Sequence, residues 1–317
     1  MDIVKFISRR SLVPRLIILI LLILLATIPL YTKGYTIILL PSIFMYIILA
    51  VSWTLFSGPT GYISLAPAAF FGVGMYTAAI LGETLPLPVF IFAGGLISFI
   101  VALLVGALTL RLRGIYFAVF TFGLVMFIAY VLLFWELHVT GTRGRFVIIV
   151  DHTTIYYVMF GILVISLLTA YLIRRSKFGL ALQSIGENEE AAAHMGVNVT
   201  IVKVTTFAIS SFFMGAAGAI WATKLTYIDP FIAFDPFFSF MAVVMALVGG
   251  GGHLFGPVIG ATFLAYLEEL LVTRFAELYK LIFGIILVVA ILYLPNGLVG
   301  LIQKLWRRSS GGQHADT

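Results

Sequence analysis

The side chains that could carry out catalysis or bind a metal are scattered through this 317-residue sequence. No pair of carboxylates and no Ser, His and Asp set has the spacing needed for acid–base or nucleophilic catalysis. The five histidines (138, 152, 194, 253 and 314) form no H-E-x-x-H or similar ligand set. A G-x-x-x-x-G-K-[ST] loop for nucleotide phosphates is absent too. We therefore expect no enzyme activity, no ATP hydrolysis by this chain, no cofactor and no metal.

Long apolar segments make up most of the chain and must position its functional residues. The sequence is 62% hydrophobic and only 10% charged, whereas soluble domains are about a quarter charged. This composition predicts an all-α, polytopic membrane protein surrounded by lipid. The net charge of +6 would suggest a nucleic-acid partner in a soluble chain. Here we assign the excess to loops that face anionic cytoplasmic lipid, so we expect no nucleic acid.

About ten apolar segments follow one another, and two of them, 237–250 and 256–271, are short enough to be half-helices. The segments are 16–30, 36–56, 64–81, 88–110, 115–134, 154–173, 204–223, 237–250, 256–271 and 281–295. The first could be a signal peptide, but no small-x-small cleavage site follows it, so we interpret it as a retained helix.

The distribution of charge predicts which side each loop faces. With the N-terminus inside, 13 of the 19 Lys and Arg residues fall in inner loops and 6 in outer loops. Acidic residues divide the other way, with five inside and eight outside. This asymmetry predicts ten crossings with both termini cytoplasmic. The expected organisation is a cytoplasmic tail (1–15), a transmembrane domain (16–303) and a second cytoplasmic tail (304–317).

A polar insert, Arg174–Lys203, separates the apolar runs 154–173 and 204–223, each long enough to cross a hydrocarbon core of about 30 Å. Its four basic and three acidic residues place it outside hydrocarbon. Its apolar positions predict a broken pair of short, weakly amphipathic helices, which Gly196 ends. On composition alone, a solvated loop that only sets topology remains an alternative.

Two glycine-rich interruptions, 57–65 (SGPTGYISL) and 249–257 (GGGGHLFGP), break apolar runs in the two halves of the chain. Backbone freed from a helix is tolerated at membrane depth only where protein or a watery cavity surrounds it. Paired broken helices predict a translocation pathway and an internal repeat, and close packing by small residues is the alternative. The candidate pathway residues are Ser57, Gly58, Gly61, Ser64, Gly72, Gly249, Gly250, Gly252, Gly256 and Pro257.

Five motifs in order carry a resemblance to a known family. Glu190-Ala191-Ala192, followed by three residues and Gly196, matches the EAA-x-x-x-G pattern of permease subunits of bacterial ABC importers. The two glycine-rich stretches, with 111–118 (RLRGIYFA) and 295–298 (PNGL), resemble LivM-type branched-chain amino-acid permeases. The sequence departs from that family at 140–146 (TGTRGRF), which is basic where the family is often acidic. It departs again at Ala66-Pro67, and in lacking an isoleucine-x-leucine-proline segment after Gly196.

The resemblance implies an ABC importer permease fold that forms half of a pathway for branched-chain or related amino acids. It also implies a homologous second permease, two cytoplasmic ATPase subunits and an extracytoplasmic substrate-binding protein that delivers the small-molecule substrate. The location implied is the plasma (inner) membrane of a prokaryote. The insert would be the cytoplasmic coupling loop that docks on an ATPase. Its candidate residues are Phe178, Gly179, Leu180, Glu187, Asn188, Glu189, Glu190, Ala191, Ala192 and Gly196.

Three other functions stay open at this point. A urea or short-amide permease of the same family shares these motifs. A stand-alone ion-coupled carrier is a second alternative, but a carrier should bury ionisable residues in mid-span. Charged residues of this chain all fall in or beside the predicted loops, which favours an external energy source. An integral-membrane enzyme is a third alternative, disfavoured by the missing catalytic set.

Overall fold

Helices make up most of the chain, because its long apolar runs must pair their backbone groups internally. A computed structural model describes residues 12–32, 34–110, 112, 114–252, 254–275, 277–278, 281–286, 288, 297–298 and 300. Its helices are α1 (Leu12–Tyr31), α2 (Tyr35–Thr60), α3 (Pro67–Leu81), α4 (Leu87–Thr109), α5 (Ile115–Trp135), α6 (His152–Arg175), α7 (Lys177–Glu187), α8 (Glu189–His194), α9 (Val199–Ala222), α10 (Pro230–Ala233), α11 (Pro236–Gly249) and α12 (Gly256–Arg274). A π-helical turn, Glu136–Thr140, extends α5, and two short strands are β1 (Arg145–Phe146) and β2 (Tyr227–Ile228).

Within the described residues, seven helical stretches are long and apolar enough to cross a membrane. They are α2, α4, α5 with its π-helical turn, α6, α9, α10 together with α11, and α12. The apolar helix α3 and the 22–31 part of α1 are shorter. The expectation of an all-α, multi-pass membrane protein is therefore confirmed. Nine of the ten predicted segments coincide with helices, and the tenth, 281–295, lies partly outside the described residues.

The region 237–271 forms two separate helices. α11 has 14 residues and α12 has 19, and the two pack against each other on either side of the second glycine-rich interruption. At 1.5 Å per residue, α11 alone spans about 21 Å, less than a hydrocarbon core of about 30 Å. Joined to α10, the stretch Pro230–Gly249 reaches 20 residues. The number of crossings and the side that each terminus faces stay predictions.

The polar insert and the two-stranded sheet lie at opposite ends of the helix bundle. β1 follows α5 and precedes α6, and β2 follows α9. The strands pair antiparallel, with Arg145 opposite Ile228 and Phe146 opposite Tyr227. Both α6 and α9 have one end at this sheet and the other end at the insert. We call these two regions the sheet end and the insert end.

The core is built from helices whose backbones touch. α9 packs against α3 and α4, and α2 is buried along most of its length. A Cβ atom added to Gly74 of α3 would lie only 1.9 Å from the backbone oxygen of Gly215 in α9. A Cβ added to Gly218 would lie 2.0 Å from the oxygen of Phe71. Since hydrocarbon gives helices little hydrophobic reason to associate, close contact of this kind is a main source of cohesion in membranes.

The first glycine-rich interruption is a genuine break in the helical structure. α2 ends at Thr60 and α3 begins at Pro67, and Gly61–Ala66 between them is not helical. Three side chains bind the freed backbone. Trp53 Nε1 donates to the oxygen of Ser64 (2.8 Å), and Thr121 Oγ1 accepts from the N–H of Leu65 (2.9 Å). Ser239 Oγ donates to the oxygen of Leu65 (2.9 Å) and accepts from the N–H of Ala68 (2.9 Å).

A pair of Gly→Ala substitutions tests the close packing. In Gly74→Ala the new methyl group would overlap the α9 backbone, and we expect about 1–3 kcal/mol of destabilisation. The matched control is Gly123→Ala on α5, where an added Cβ meets nothing within 4 Å. The control should be neutral or stabilising by up to about 1 kcal/mol, because alanine favours a helix. Thermal unfolding in detergent measures both, and equal midpoints for the two variants would contradict the packing account.

Candidate functional site

Three polar caps divide the insert into two helices and direct the chain back into the bundle. Ser176 Oγ accepts from the N–H of Gly179 at the start of α7 (3.3 Å). Asn188 Oδ1 accepts from the N–H groups of Glu190 and Ala191 at the start of α8 (3.1 and 3.0 Å). At the start of α9, Asn198 Oδ1 accepts from the N–H of Ile201 (3.1 Å). Such caps satisfy the unpaired N–H groups of a helix start. The predicted pair of short helices is confirmed.

The insert has a small hydrophobic core of its own. Its buried members, Leu182, Ile185, Ala192 and Val202, form a cluster separate from the main core. α8 ends at His194, Gly196 has φ +87°, and the N–H of Val197 donates to the oxygen of Ala192 (3.1 Å). This confirms the predicted stop, because glycine adopts the left-handed conformation readily. The outer surface of the insert exposes Leu180 (64%) and Met195 (83%).

α7 lies directly across the end of α2. A Cβ added to Gly186 would lie 2.0 Å from the backbone oxygen of Pro59, so only glycine allows this approach. Beside this contact is a cleft of about 390 Å³. Its lining includes Gly58, Pro59 and Gly61 from the first interruption, Gly251 and Gly252 from the second, and Ile173, Arg174, Gly179, Gln183, Gly186 and Glu187 of the α6–α7 region. Both glycine-rich interruptions therefore meet the insert at one cleft.

A closed ring of hydrogen bonds joins the insert to the bundle, formed by Lys203, Glu189 and Tyr62. Lys203 Nζ donates to Glu189 Oε1 (2.9 Å) and to Tyr62 Oη (3.1 Å). Tyr62 Oη in turn donates to Glu189 Oε2 (2.7 Å). The third N–H of the ammonium group is directed to the backbone oxygen of Leu110, at 3.0 Å. We call Lys203, Glu189 and Tyr62 the Lys203 ring.

The Lys203 ring corrects one expectation from the sequence. Lys203 was grouped with the solvated charges of the insert, yet only 2% of the residue is exposed. A buried ammonium group is tolerated when its charge is paired and its three donors are satisfied, as they are here. Removing one partner of such a buried pair is strongly destabilising. The sequence gave no indication that Lys203 and Tyr62 would contact Glu189. Lys203 is 14 residues from Glu189 along the chain, and Tyr62 is 127 residues from it.

The ten predicted coupling residues fall into distinct environments. Gly179 and Ala192 are buried, and Phe178 is partly buried against the core of the insert. Asn188 caps α8, and Glu189 belongs to the Lys203 ring. The exposed members are Leu180, Glu187, Asn188, Glu190, Ala191 and Gly196. Two adjacent glutamates therefore face in different directions, Glu189 towards the bundle and Glu190 towards solvent.

The ten predicted pathway residues divide in a similar way. Gly58, Gly61 and Gly252 line the cleft. Ser57 and Ser64 line an internal cavity of about 10 Å³, which also contacts Ser210. The remaining five, Gly72, Gly249, Gly250, Gly256 and Pro257, are buried. A Cβ on Gly72 would meet the Phe234 ring at 2.5 Å, and one on Gly249 would meet the oxygen of Gly256 at 1.9 Å. Close packing is therefore sufficient to explain the glycines at these two positions.

Arginines at the sheet end are paired within the chain. Arg143 Nη2 lies 2.8 Å from Asp229 Oδ2. Arg145 Nε lies 3.8 Å from Oε1 of Glu136, a residue with no exposed surface. That carboxylate also accepts from Tyr76 Oη (3.2 Å) and from the N–H of Gly144 (2.8 Å). The sequence gave no indication that Glu136 would be completely buried, within the apolar helical stretch Ile115–Thr140.

Comparisons with known proteins cover most of the chain. A family model described as branched-chain amino acid transport system / permease component matches residues 35–291. The high-affinity branched-chain amino acid transport system permease protein LivM of Salmonella typhimurium is 27% identical over 311 residues, covering 84% of this chain and 70% of the relative. LivM of Escherichia coli is 26% identical over 309 residues, with the same coverage.

A more limited likeness extends to a sugar permease. The ribose import permease protein RbsC of Haemophilus influenzae is 30% identical over 105 residues, which is 32% of each chain. No solved structure matches the chain.

The contact between α7 and α2 can be tested by enlarging a glycine. In Gly186→Ala the added methyl group would overlap the oxygen of Pro59 and push α7 away from α2. We expect faster amide hydrogen exchange across residues 177–194, since exchange reports local opening. The matched control is Gly252→Ala, at the same cleft, where an added Cβ has open space. Faster exchange in the control, or unchanged exchange in Gly186→Ala, would contradict the proposed packing.

Proposed function

The chain belongs to the family of branched-chain amino acid transport system permease components, and from this membership we propose how it works. It forms half of a translocation pathway for branched-chain amino acids, and a homologous second permease forms the other half. Separate cytoplasmic ATPase subunits supply the energy, and an extracytoplasmic binding protein supplies the solute. The location proposed is the plasma membrane of a prokaryote.

One observation carries the proposal beyond family membership, namely the construction of the insert. α7 and α8 pack on one small core that also includes Val202 of α9, so movement of one helix of the pair is passed to the other. Their inner surface is joined to the bundle through Gly186 and the Lys203 ring. Their outer surface exposes two large apolar side chains, Leu180 and Met195, beside charged residues. Outside hydrocarbon, these two side chains are available for apolar contact with a docked protein, as the family membership implies.

Charge supports placing this docking surface in the cytoplasm. The insert carries four of the 19 Lys and Arg residues, and the predicted inner loops together carry 13. Basic loops are retained on the cytoplasmic side of a membrane. The insert would then face the compartment that holds ATP, and the sheet end would face the binding protein. Arg143 at the sheet end keeps 51% of its side chain exposed while it pairs with Asp229, so it can contact a docked protein.

The cleft provides a route from the docking surface to the pathway. Movement of α7 alters the cleft that both glycine-rich interruptions line. We assign Gly58, Gly61 and Gly252 to the cytoplasmic end of the pathway and Ser57 and Ser64 to its interior. The opposite wall would come from the second permease. An ATPase can drive this change only if its two nucleotide states contact the insert with different free energies.

The solute is assigned from the relatives. LivM of Salmonella typhimurium and of Escherichia coli are named for branched-chain amino acids, and each covers 84% of this chain. RbsC is named for ribose but covers only 32%. Leucine is therefore the first solute to test. A urea or short-amide permease is the second candidate, on the motifs that these permeases share.

A charge reversal tests the docking surface. In Glu190→Arg an exposed carboxylate of α8 becomes a guanidinium, and we expect ATP-driven leucine uptake to fall at least about tenfold, a loss typical of a charge facing a protein partner. Gly196→Asp should have a similar effect, because it places a side chain at φ +87°. Both variants should remain in the membrane at normal levels.

The control is Glu83→Arg, the same reversal at an exposed position between α3 and α4. Tagged wild type and the Glu83→Arg control should both bring an ATPase subunit out of native membranes, whereas Glu190→Arg should not. Normal uptake by both Glu190→Arg and Gly196→Asp would reject the docking assignment.

Competition separates the two candidate solutes. Uptake of labelled leucine into membrane vesicles that contain the wild-type complex should be inhibited by unlabelled isoleucine and valine. The same excess of urea or acetamide should leave leucine uptake unchanged. Inhibition by the amides alone would favour the short-amide alternative.

A further inference from the structure

We propose that Tyr62, Lys203 and Glu189 are positioning residues that transmit movement of the insert to the non-helical segment Gly61–Ala66. This inference rests on the proposed function, because it assigns the route by which the insert acts on the pathway. Its basis is the closed hydrogen-bond ring, in which each member comes from a different part of the chain. Glu189 belongs to α8, Lys203 to the first turns of α9, and Tyr62 to the segment between α2 and α3.

Each member of the Lys203 ring forms a hydrogen bond with both of the others. The carboxylate oxygens of Glu189 take separate donors, one from Lys203 and one from Tyr62. Tyr62 Oη accepts from Lys203 while it donates to Glu189. Hydrogen bonds in such closed chains polarise and strengthen one another in a low-dielectric setting. Any displacement of α8 relative to the segment between α2 and α3 must therefore lengthen the bond between Glu189 and Tyr62 or carry Tyr62 with it.

Tyr62 leads directly to the bonded part of the break. Ser64 and Leu65, two and three residues further on, are held by Trp53 of α2, Thr121 of α5 and Ser239 of α11. The ring itself bonds the backbone oxygen of Leu110, just after α4. A shift at Tyr62 therefore acts on the start of α3 and on three further helices. Ser64 also lines the internal cavity beside Ser57.

The Lys203 ring can resist separation of the insert from the bundle, which the α7–α2 contact cannot do. Gly186 meets Pro59 through van der Waals contact, which transmits a push but separates freely under a pull. A hydrogen-bonded ion pair resists separation as well as compression. A transport cycle must move the insert in both directions. When the insert moves away from the bundle, only a contact that resists separation can carry the segment Gly61–Ala66 with it. The Lys203 ring provides an ion-paired link between α8 and the bundle.

Stability alone does not account for the choice of these residues. Replacing a buried ion pair by well-packed apolar side chains is often neutral or stabilising. Leu182, Ile185 and Val202 already hold the insert together by apolar contact nearby. A buried charge pair adds a defined geometry, which apolar contact provides poorly.

The test removes one hydroxyl group and keeps the aromatic packing. In Tyr62→Phe the aromatic side chain keeps its contacts with Phe117 (5.6 Å between ring centroids) and Phe56 (6.4 Å). The hydrogen bonds of the hydroxyl group with Lys203 and Glu189 are lost. The matched control is Tyr116→Phe, an exposed tyrosine at the same end of the bundle. Each complex is purified by its tagged chain from native membranes and reconstituted with its binding protein in liposomes. Leucine uptake and ATP hydrolysis are measured in the same sample.

We expect Tyr62→Phe to lower the number of leucine molecules carried per ATP at least about threefold, because both hydrogen bonds of the Tyr62 hydroxyl group are lost. ATP hydrolysis and the melting temperature of the complex should stay close to wild type. The control should match wild type in all three measurements. A normal leucine-to-ATP ratio in Tyr62→Phe would overturn the inference, as would a lowered melting temperature with an unchanged ratio, which indicates a purely structural role.

Glu189→Gln provides a second variant of the same ring. Because it leaves the buried ammonium group of Lys203 without its charged partner, we expect its melting temperature to fall, and the ratio is measured well below that temperature. If Tyr62 and Glu189 act through the same hydrogen-bond ring, the double variant Tyr62→Phe/Glu189→Gln should lower the leucine-to-ATP ratio no further than the more impaired single variant. Multiplied losses would show separate routes and overturn the inference. Failure of the proposed function is a different result, because the wild-type complex would then show no ATP-dependent leucine uptake at all.

Discussion

A polypeptide in hydrocarbon cannot leave backbone N–H and C=O groups unpaired, and this constraint governs how the chain can be interrupted. Gly61–Ala66 leaves the helical pattern, so its backbone groups need partners from elsewhere in the protein. Trp53, Thr121 and Ser239 provide them from α2, α5 and α11. These bonds fix the relative positions of three helices around the break. The interruption is thus a connection between helices as well as a gap in one of them.

Packing divides the molecule into a rigid part and an adjustable part. Backbone contact of Gly74 with Gly215, and of Phe71 with Gly218, leaves no room for α3 and α9 to slide past each other. Close-packed interiors deform little, so movement must be taken up where space exists. The described residues contain such space at the insert end, in the cleft of about 390 Å³. The geometry therefore concentrates adjustment between the insert and the two glycine-rich interruptions.

Patterns along the sequence predicted the elements better than their contacts. Apolar runs located nine helices, and the composition of the insert located α7, α8 and the stop at Gly196, because each is a local property of the chain. The burial of Lys203 and Glu136 could not be predicted in this way. Hydropathy treats every lysine and glutamate as a solvated charge, whereas their burial here depends on partners such as Tyr62 and Tyr76, distant in sequence. The pathway glycines show the opposite difficulty, since a glycine pattern is the same for a pathway and for close packing.

The basic segment 140–146 departs from the family pattern, and its two arginines are paired with acidic side chains of the same chain. Asp229 pairs with Arg143, and the buried carboxylate of Glu136 lies 3.8 Å from Arg145. The Arg143–Asp229 pair joins the segment after α5 to the segment after α9, where β1 and β2 also meet. A substrate or docking partner therefore meets a surface whose added positive charges are already opposed by acidic ones. The departure on its own gives no reason to assign a different class of solute, and the relatives that cover most of the chain remain the better guide.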